Sequence, residues 1–259
     1  MSDEIFIGIP VLNRFDLLAE CVRRIDVPHR LLCINNNTVD VVFQEQLKEL
    51  KTKYPCLAVE DAPRNLGVSA SWNHLVRAGF AAGFERVFIT ANDFHVEPGS
   101  WAAFRDTVLR VPAELYLGDG YNLFCVTRTL IDHVGYFDEN YFPAYMEDVD
   151  YDYRCRLANV AVVRFGIVPG TFGQHELPGL QWRHHGSQTI RSDLEYGKRN
   201  EWTHFTWNRT HYELKWGGLP PKEKFKTPYN KPEHDLRWWP PPAGSIEHRD
   251  WDQDRKRVR

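Results

Sequence analysis

The sequence predicts an α/β fold, a mostly parallel sheet with helices on both faces, followed by an extended C-terminal arm. Within the first 110 residues, a short apolar run is followed four times by apolar residues at helical spacing. Each run ends in a cluster of Asn, Asp, Arg or Gly. Alternating strand and helix patterns are the signature of parallel strands joined by crossover helices.

Ile5 to Ile9 is the first apolar run, and Leu17, Leu18, Cys21, Val22 and Ile25 then share one helical face. Leu31 to Ile34 is the second, followed by Phe43, Leu47 and Leu50. Cys56 to Val59 is the third, with Trp72, Leu75, Val76 and Phe80 behind it. Val87 to Thr90 is the fourth, with Trp101, Phe104 and Val108. From Leu115 the pattern loosens. Gly118 to Tyr121 leads into a strand-like Phe124 to Val126. The acidic segment Glu147 to Asp152 opens a helix-like Tyr151 to Leu157, and a further helical stretch lies around Leu194 to Leu214. Residues 215–259 hold 7 of the 16 prolines and a net formal charge of +4. Proline lacks the backbone donor that regular elements need, so this segment is expected to be an arm rather than core.

Composition narrows the function. A formal net charge of -3 excludes the basic surplus of a non-specific nucleic-acid binder. The cysteines (Cys21, Cys33, Cys56, Cys125, Cys155) form no CxxC pair, so neither a zinc knuckle nor a disulfide framework is expected. Free thiols in a reducing compartment fit them best. The start, Met1 to Glu4, has no basic, apolar leader, and no run approaches the roughly 18 apolar residues of a membrane span. The expectation is a cytoplasmic protein.

The chemistry is expected at the strand ends. After the first strand come Pro10, Asn13 and Arg14; after the second, Asn35, Asn36, Asn37 and Asp40. After the third come Arg64, Asn65 and Gly67, with Asn73 on the next helix; after the fourth, Ala91, Asn92 and Asp93. Turn and N-cap preferences account for any one of these clusters. Four in register would converge on the carboxyl edge of one sheet, where open α/β sheets bind ligands.

Together with Gly135-Tyr136-Phe137-Asp138-Glu139, Glu147-Asp148-Val149-Asp150 and His184-His185-Gly186-Ser187, these clusters resemble the motifs of glycosyltransferase family 2, in the family's order over about residues 4 to 190. The resemblance implies a GT-A, Rossmann-like fold and inverting sugar transfer from a nucleoside diphosphate. On that basis 1–214 is the catalytic domain, with 1–110 the nucleotide-binding half and 111–214 the acceptor half. Pro10, Asn13, Arg14, Asn35, Asn37, Arg64, Asn65, Gly67, Asn73 and Asn92 are the implied donor-binding residues. Asp93 would hold Mn²⁺ or Mg²⁺ with His184, or alternatively His185. Asp148 is the implied general base, and Glu147 would orient the acceptor. The donor would be a UDP-, dTDP- or GDP-sugar; the acceptor is a saccharide, a lipid-linked sugar, a protein or a modified nucleic acid.

The chain departs from the family at three points. Leu12 stands for an aromatic residue, Asn35 for a base-facing aspartate, and Ala91-Asn92-Asp93 keeps one carboxylate of Asp-x-Asp. One carboxylate suffices where phosphate oxygens and water complete the octahedron of a hard cation. Asp150 stands four residues before Arg154, the spacing of a helical ion pair, so its expected role is structural. Two other readings compete: a sugar-nucleotide or carbohydrate binder without turnover, and a nucleotidyltransferase or dinucleotide enzyme. The second lacks the glycine-rich phosphate loop it needs. The stretch from 216 to 242, rich in Trp and Pro, is expected to fold back over the catalytic cleft.

Overall fold

Each predicted strand–helix repeat is present. In the computed structural model, β1 (Ile5–Val11), β2 (His29–Asn35), β3 (Leu57–Asp61) and β4 (Arg86–Thr90) alternate with α1 (Phe15–Arg23), α2 (Val41–Lys53), α3 (Gly67–Ala81) and α4 (Ser100–Arg110). The structure describes residues 4–165, 182–184, 188–192, 197 and 205–238, with backbone only for 182–184. Further along lie β5 (Phe94–Val96), β6 (Leu115–Leu117), β7 (Leu123–Thr127), α5 (Arg128–Val134), α6 (Glu147–Leu157), β8 (Val162–Arg164), β9 (Trp182–His184), α7 (Gln188–Arg191) and α8 (Phe205–Trp216).

The main sheet has the order β3-β2-β1-β4-β7-β6-β8. Strands β3, β2, β1 and β4 run parallel, and β6 and β8 pair parallel with each other. Only β7 is reversed, antiparallel to both β4 and β6. The sheet is mostly parallel, as the sequence predicts. β5 and β9 form a separate two-stranded ribbon.

Local chemistry explains the elements. Ile7, Ile9, Val87 and Ile89 are wholly buried, which fits strands covered on both faces. The Asp40 side chain accepts from the Phe43 N–H at 3.0 Å and caps α2. α3 lies close against β1: a Cβ at Gly8 would meet the Cβ of Leu75 at 2.8 Å. That approach explains a glycine in the middle of a strand.

The chain divides into two compact units. The first comprises 4–65, 71–130, 160–165, 182–184 and 188–189 and contains the main sheet. Its core runs from Ile5, Ile7 and Ile9 through Leu18, Phe43, Phe88 and Phe104 to Val163. The second comprises 66–70, 131–159, 190–192, 197 and 205–238, with Tyr141, Met146, Tyr153, Tyr212 and Trp216 at its centre. These limits differ from the halves 1–110 and 111–214, because β6 and β7 continue the sheet begun by β1 to β4. The expected start of the arm differs as well. Lys215 and Trp216 close α8 and are buried, 1% and 0% exposed, so the segment poor in regular structure begins at Gly217. The proline-rich stretch from Trp239 to Pro242 lies outside the described residues.

Candidate functional site

The first unit gathers the strand-end residues on one edge. Strand register sets Val11 opposite Asn35, and Asn35 opposite Asp61, so the carboxyl ends of β1, β2 and β3 lie level. The ladder continues past the strands, with the Asn36 N–H donating to the Val11 carbonyl at 2.8 Å.

After β1 the chain turns through Arg14, whose φ of 59° is left-handed. The Arg14 guanidinium clamps Asp16 with two bonds, 2.9 and 2.7 Å. That bond, aided by the negative charge of Asp93 farther off, holds its pKa above the ordinary value. Asn13 donates from Nδ2 to the Thr189 carbonyl at 2.9 Å, while its own carbonyl accepts from Asn92 Nδ2 at 3.1 Å. Asn92 Oδ1 in turn accepts from the Thr189 hydroxyl at 3.1 Å. The Asn92 amide therefore holds the turns after β1 and β4 to the start of α7. Pro10 is half-buried within β1.

Asp93 is 4% exposed, and its Oδ2 accepts from the Gln188 N–H at 2.9 Å. β9 pairs antiparallel with β5 so that His184 is in register with Phe94, the residue after Asp93. His185, Gly186 and Ser187 lie outside the described residues. Among the described residues no three His, Cys, Asp or Glu side chains cluster as a ready-made metal site. A buried carboxylate at a strand end is the kind of oxygen ligand that a hard cation takes together with phosphate and water.

Asn35 is wholly buried, and both ends of its amide are engaged. Nδ2 donates to Asp61 Oδ1 at 2.8 Å, and Oδ1 accepts from the Asn37 N–H at 2.9 Å. Beside them is a cavity of about 150 Å³, lined by Asn35, Gln44, Leu47, Lys48, Lys51, Val59 and Asp61. Asp61 is the residue that the sequence reading missed. The apolar run ended at Val59, whereas the strand continues through the exposed Glu60 and Asp61. Arg64 is exposed, Asn65 half-buried, and Asn73 wholly buried in α3.

The second unit holds the carboxylates of α6. Gly67 belongs here: its φ is +75°, and a Cβ would meet the Pro143 carbonyl oxygen at 2.8 Å. The next N–H, from Val68, donates to that oxygen at 2.7 Å. The segment then passes through two left-handed residues, Tyr145 and Met146, directly into Glu147 and Asp148. The wholly buried Asn208 on α8 donates from Nδ2 to the Ala144 and Tyr145 carbonyls, at 2.9 and 3.1 Å, and braces this bend.

Glu147 is 6% exposed, and Oε2 has no partner among the described residues. Burial, and then the nearby Asp148 charge, push its carboxyl well above the ordinary value. Asp148 is half-buried, and desolvation raises its pKa too, against the pull of a hydrogen bond from the Val149 N–H at 2.8 Å. Asp150 differs in kind. It pairs with Arg154 at 2.9 Å, the expected helical spacing, and with Lys215 at 2.8 Å, while Trp216 Nε1 donates to it at 2.7 Å. Asp138 accepts from Lys215 at 2.8 Å and from His211 at 3.2 Å. Asp138 and Asp150 thus anchor a buried ionic cluster.

No protein-family profile matches the chain. A stretch of 57 residues is 43% identical to a galactofuranosyl glycosyltransferase of Leishmania donovani, covering 22% of this chain and 13% of that relative's length. In three dimensions the chain is similar to S. aureus TarS 1-349, with a TM-score of 0.52 at 13% identity over 83% of this chain and 74% of that one. A further crystal structure of S. aureus TarS aligns with a TM-score of 0.50 at 13% identity, over 82% of this chain and 44% of that one. The chain has the mixed α/β fold of S. aureus TarS. No helix among the described residues is long and apolar enough to cross a membrane.

Proposed function

We propose that the chain is an inverting glycosyltransferase, moving a sugar from a nucleoside diphosphate to an acceptor hydroxyl. The observation that carries this reading is the level carboxyl edge of β1, β2 and β3, flanked by the buried Asp93 and by β9 with His184 in register beside it. The short likeness to a galactofuranosyl glycosyltransferase supports the same reaction class.

In this reading Asp93 and His184, with His185 as the alternative, would hold Mn²⁺ or Mg²⁺. The bound ion supplies Lewis-acid neutralisation of the departing diphosphate. Arg14 sets a guanidinium at the same edge, where it favours the donor's negative charge. The acceptor oxygen attacks the anomeric carbon, the bond from that carbon to the diphosphate oxygen breaks, and the acceptor proton passes to Asp148. The raised pKa supports Asp148 in this role, since a stronger base is better matched to a hydroxyl proton. Burial pushes the Glu147 carboxyl toward its neutral form, in which it would donate a hydrogen bond that orients the acceptor.

A screen of UDP-, dTDP- and GDP-sugars against saccharide, lipid-linked, protein and nucleic-acid acceptors, with Mn²⁺ or with EDTA, tests the reading. Turnover is expected only with the ion, and Asp148→Asn is expected to lower it by roughly 10²–10⁴ while donor affinity stays near wild type. Binding without turnover in every arm would favour the second reading, a sugar-nucleotide binder. The observation behind that alternative is the Asn92 amide, spent on Asn13 and Thr189 instead of facing a ligand.

A further inference from the structure

The structure assigns to Asp61 the recognition of the donor's nucleobase, through a ring N–H that its free carboxylate oxygen accepts. This rests on the nucleotide-sugar reading above and names the residue that reads the base. The starting point is the lock on Asn35. Its Nδ2 points at a carboxylate and its Oδ1 receives a backbone N–H, so the amide cannot flip without losing both bonds. Wholly buried, and with its oxygen already accepting a backbone N–H, this amide is poorly placed to accept from a base. The carboxylate absent from position 35 stands instead on the adjacent strand, at the residue paired with it in register.

Asp61 is exposed, and among the described residues only its Oδ1 is engaged, with Asn35. It lines the 150 Å³ cavity at the carboxyl edge, together with the apolar side chains of Leu47 and Val59. Apolar walls with a polar group at the rim suit a flat heterocycle bound through its edge. Lys48 and Lys51 line the same cavity, one helical turn apart on α2. Lys48 pairs with Glu45 at 2.6 Å on the surface, a pair worth little, and Lys51 has no ionic partner among the described residues. An acceptor flanked by ammonium donors complements a ring N–H flanked by carbonyl oxygen. Uracil and thymine carry that pattern on both sides of N3, and guanine on one side of N1; adenine and cytosine present an unprotonated ring nitrogen that a carboxylate repels.

Calorimetry on the full chain with Mn²⁺ separates the cases, using UDP, N3-methyl-UDP, GDP and ADP as probes. Wild type is expected to bind UDP or GDP about 10- to 100-fold more tightly than ADP, the range of one hydrogen bond to a charged group. Which of the two binds more tightly identifies the base. If it is UDP, N3 methylation should cost a similar factor. Asp61→Ala should erase the preference, by weakening the preferred nucleotide and, with the repelling carboxylate gone, without weakening ADP. Asn35→Asp, which would set a second carboxylate against Asp61, should weaken the preferred nucleotide instead of improving it. A preference that survives in Asp61→Ala, or equal binding of all bases by wild type, would overturn the assignment while leaving the transferase reading intact. Failure of wild type to bind any of the probes would remove the nucleotide-sugar reading and this assignment with it.

Discussion

Glu147 and Asp150 stand three residues apart on α6, both buried, yet their carboxyls are pushed in opposite directions. Asp150 has Lys215 and Arg154 within 3 Å, and their charge outweighs desolvation and keeps it ionised. Glu147 has no cation beside it among the described residues, so burial dominates and favours the protonated form. Stability then depends on pH in a defined sense. Below the ordinary glutamate pKa of 4.5, Glu147 is protonated both folded and unfolded, and its burial costs no ionisation energy. As pH rises above that value the unfolded chain releases the proton while the folded chain keeps it, so stability falls. Glu147→Gln keeps the shape and cannot ionise. Its melting temperature is expected to exceed that of wild type at pH 7 to 8, with the gap closing toward pH 4. A gap that stays constant from pH 4 to 8 would show that Glu147 does not hold its proton.

The joining of α6 to α8 rests on two acids, two bases and a histidine that are almost wholly excluded from water. Such a cluster is weak evidence for net stability, but removing one partner strands the others. Lys215 bridges Asp138 and Asp150, so Lys215→Met is expected to cost about 3–5 kcal/mol in urea denaturation. It should also make the protein sensitive to acid at a higher pH. In wild type both aspartates titrate below the ordinary 3.8, so their stabilising charge persists until pH falls beneath that value. Loss of less than about 1 kcal/mol, with an unchanged acid transition, would show that the cluster is not cooperative. The Asp150–Arg154 pair was legible in the sequence because its spacing is local to one helix. The bridge from Lys215 to Asp138, 77 residues away, left no such signal. The same contrast runs through the sheet. The four apolar runs, each followed by a helical period, announced β1 to β4, whereas β5, β6 and β8 are three residues each, too short for a period to register. Asn13, Asn35 and Asp93 could be singled out from the sequence because strand ends collect polar residues. Asp61 was missed because β3 is exposed over its last residues and reads as a turn.

At the scale of the whole chain, the sequence placed a boundary at 215 because proline and tryptophan accumulate there, and the fold moves it. Lys215 sits between two buried carboxylates. Trp216 is wholly buried, donates to Asp150, and packs edge-on against Tyr153 with ring centres 4.9 Å apart. Beyond the helix the chain still belongs to the second unit. Tyr153 donates to the Phe225 carbonyl at 2.8 Å, Tyr212 to Glu223 at 2.7 Å, and Arg237 reaches the Asp132 carbonyl at 3.4 Å. A Cβ on Gly135 would meet the Cα of Arg237 at 2.8 Å, so the glycine of the Gly-Tyr-Phe-Asp-Glu motif makes room for this returning strand of chain. Residues 217–238 are therefore part of what holds α6 in place. Two truncations distinguish that role from one in transfer alone. Ending the chain after Lys215 removes Trp216, Glu223 and Phe225 together and is expected to unfold the second unit. Its signature would be loss of the cooperative melting transition, with the transfer reaction lost as a consequence. Ending it after Trp238 keeps every contact named here and is expected to leave the melting temperature within a few degrees of wild type. Transfer kinetics in that longer truncation then report on residues 239–259 alone. A wild-type melting curve for the chain ending at Lys215 would show that the segment contributes nothing to the fold, and would return the boundary to where the sequence had put it.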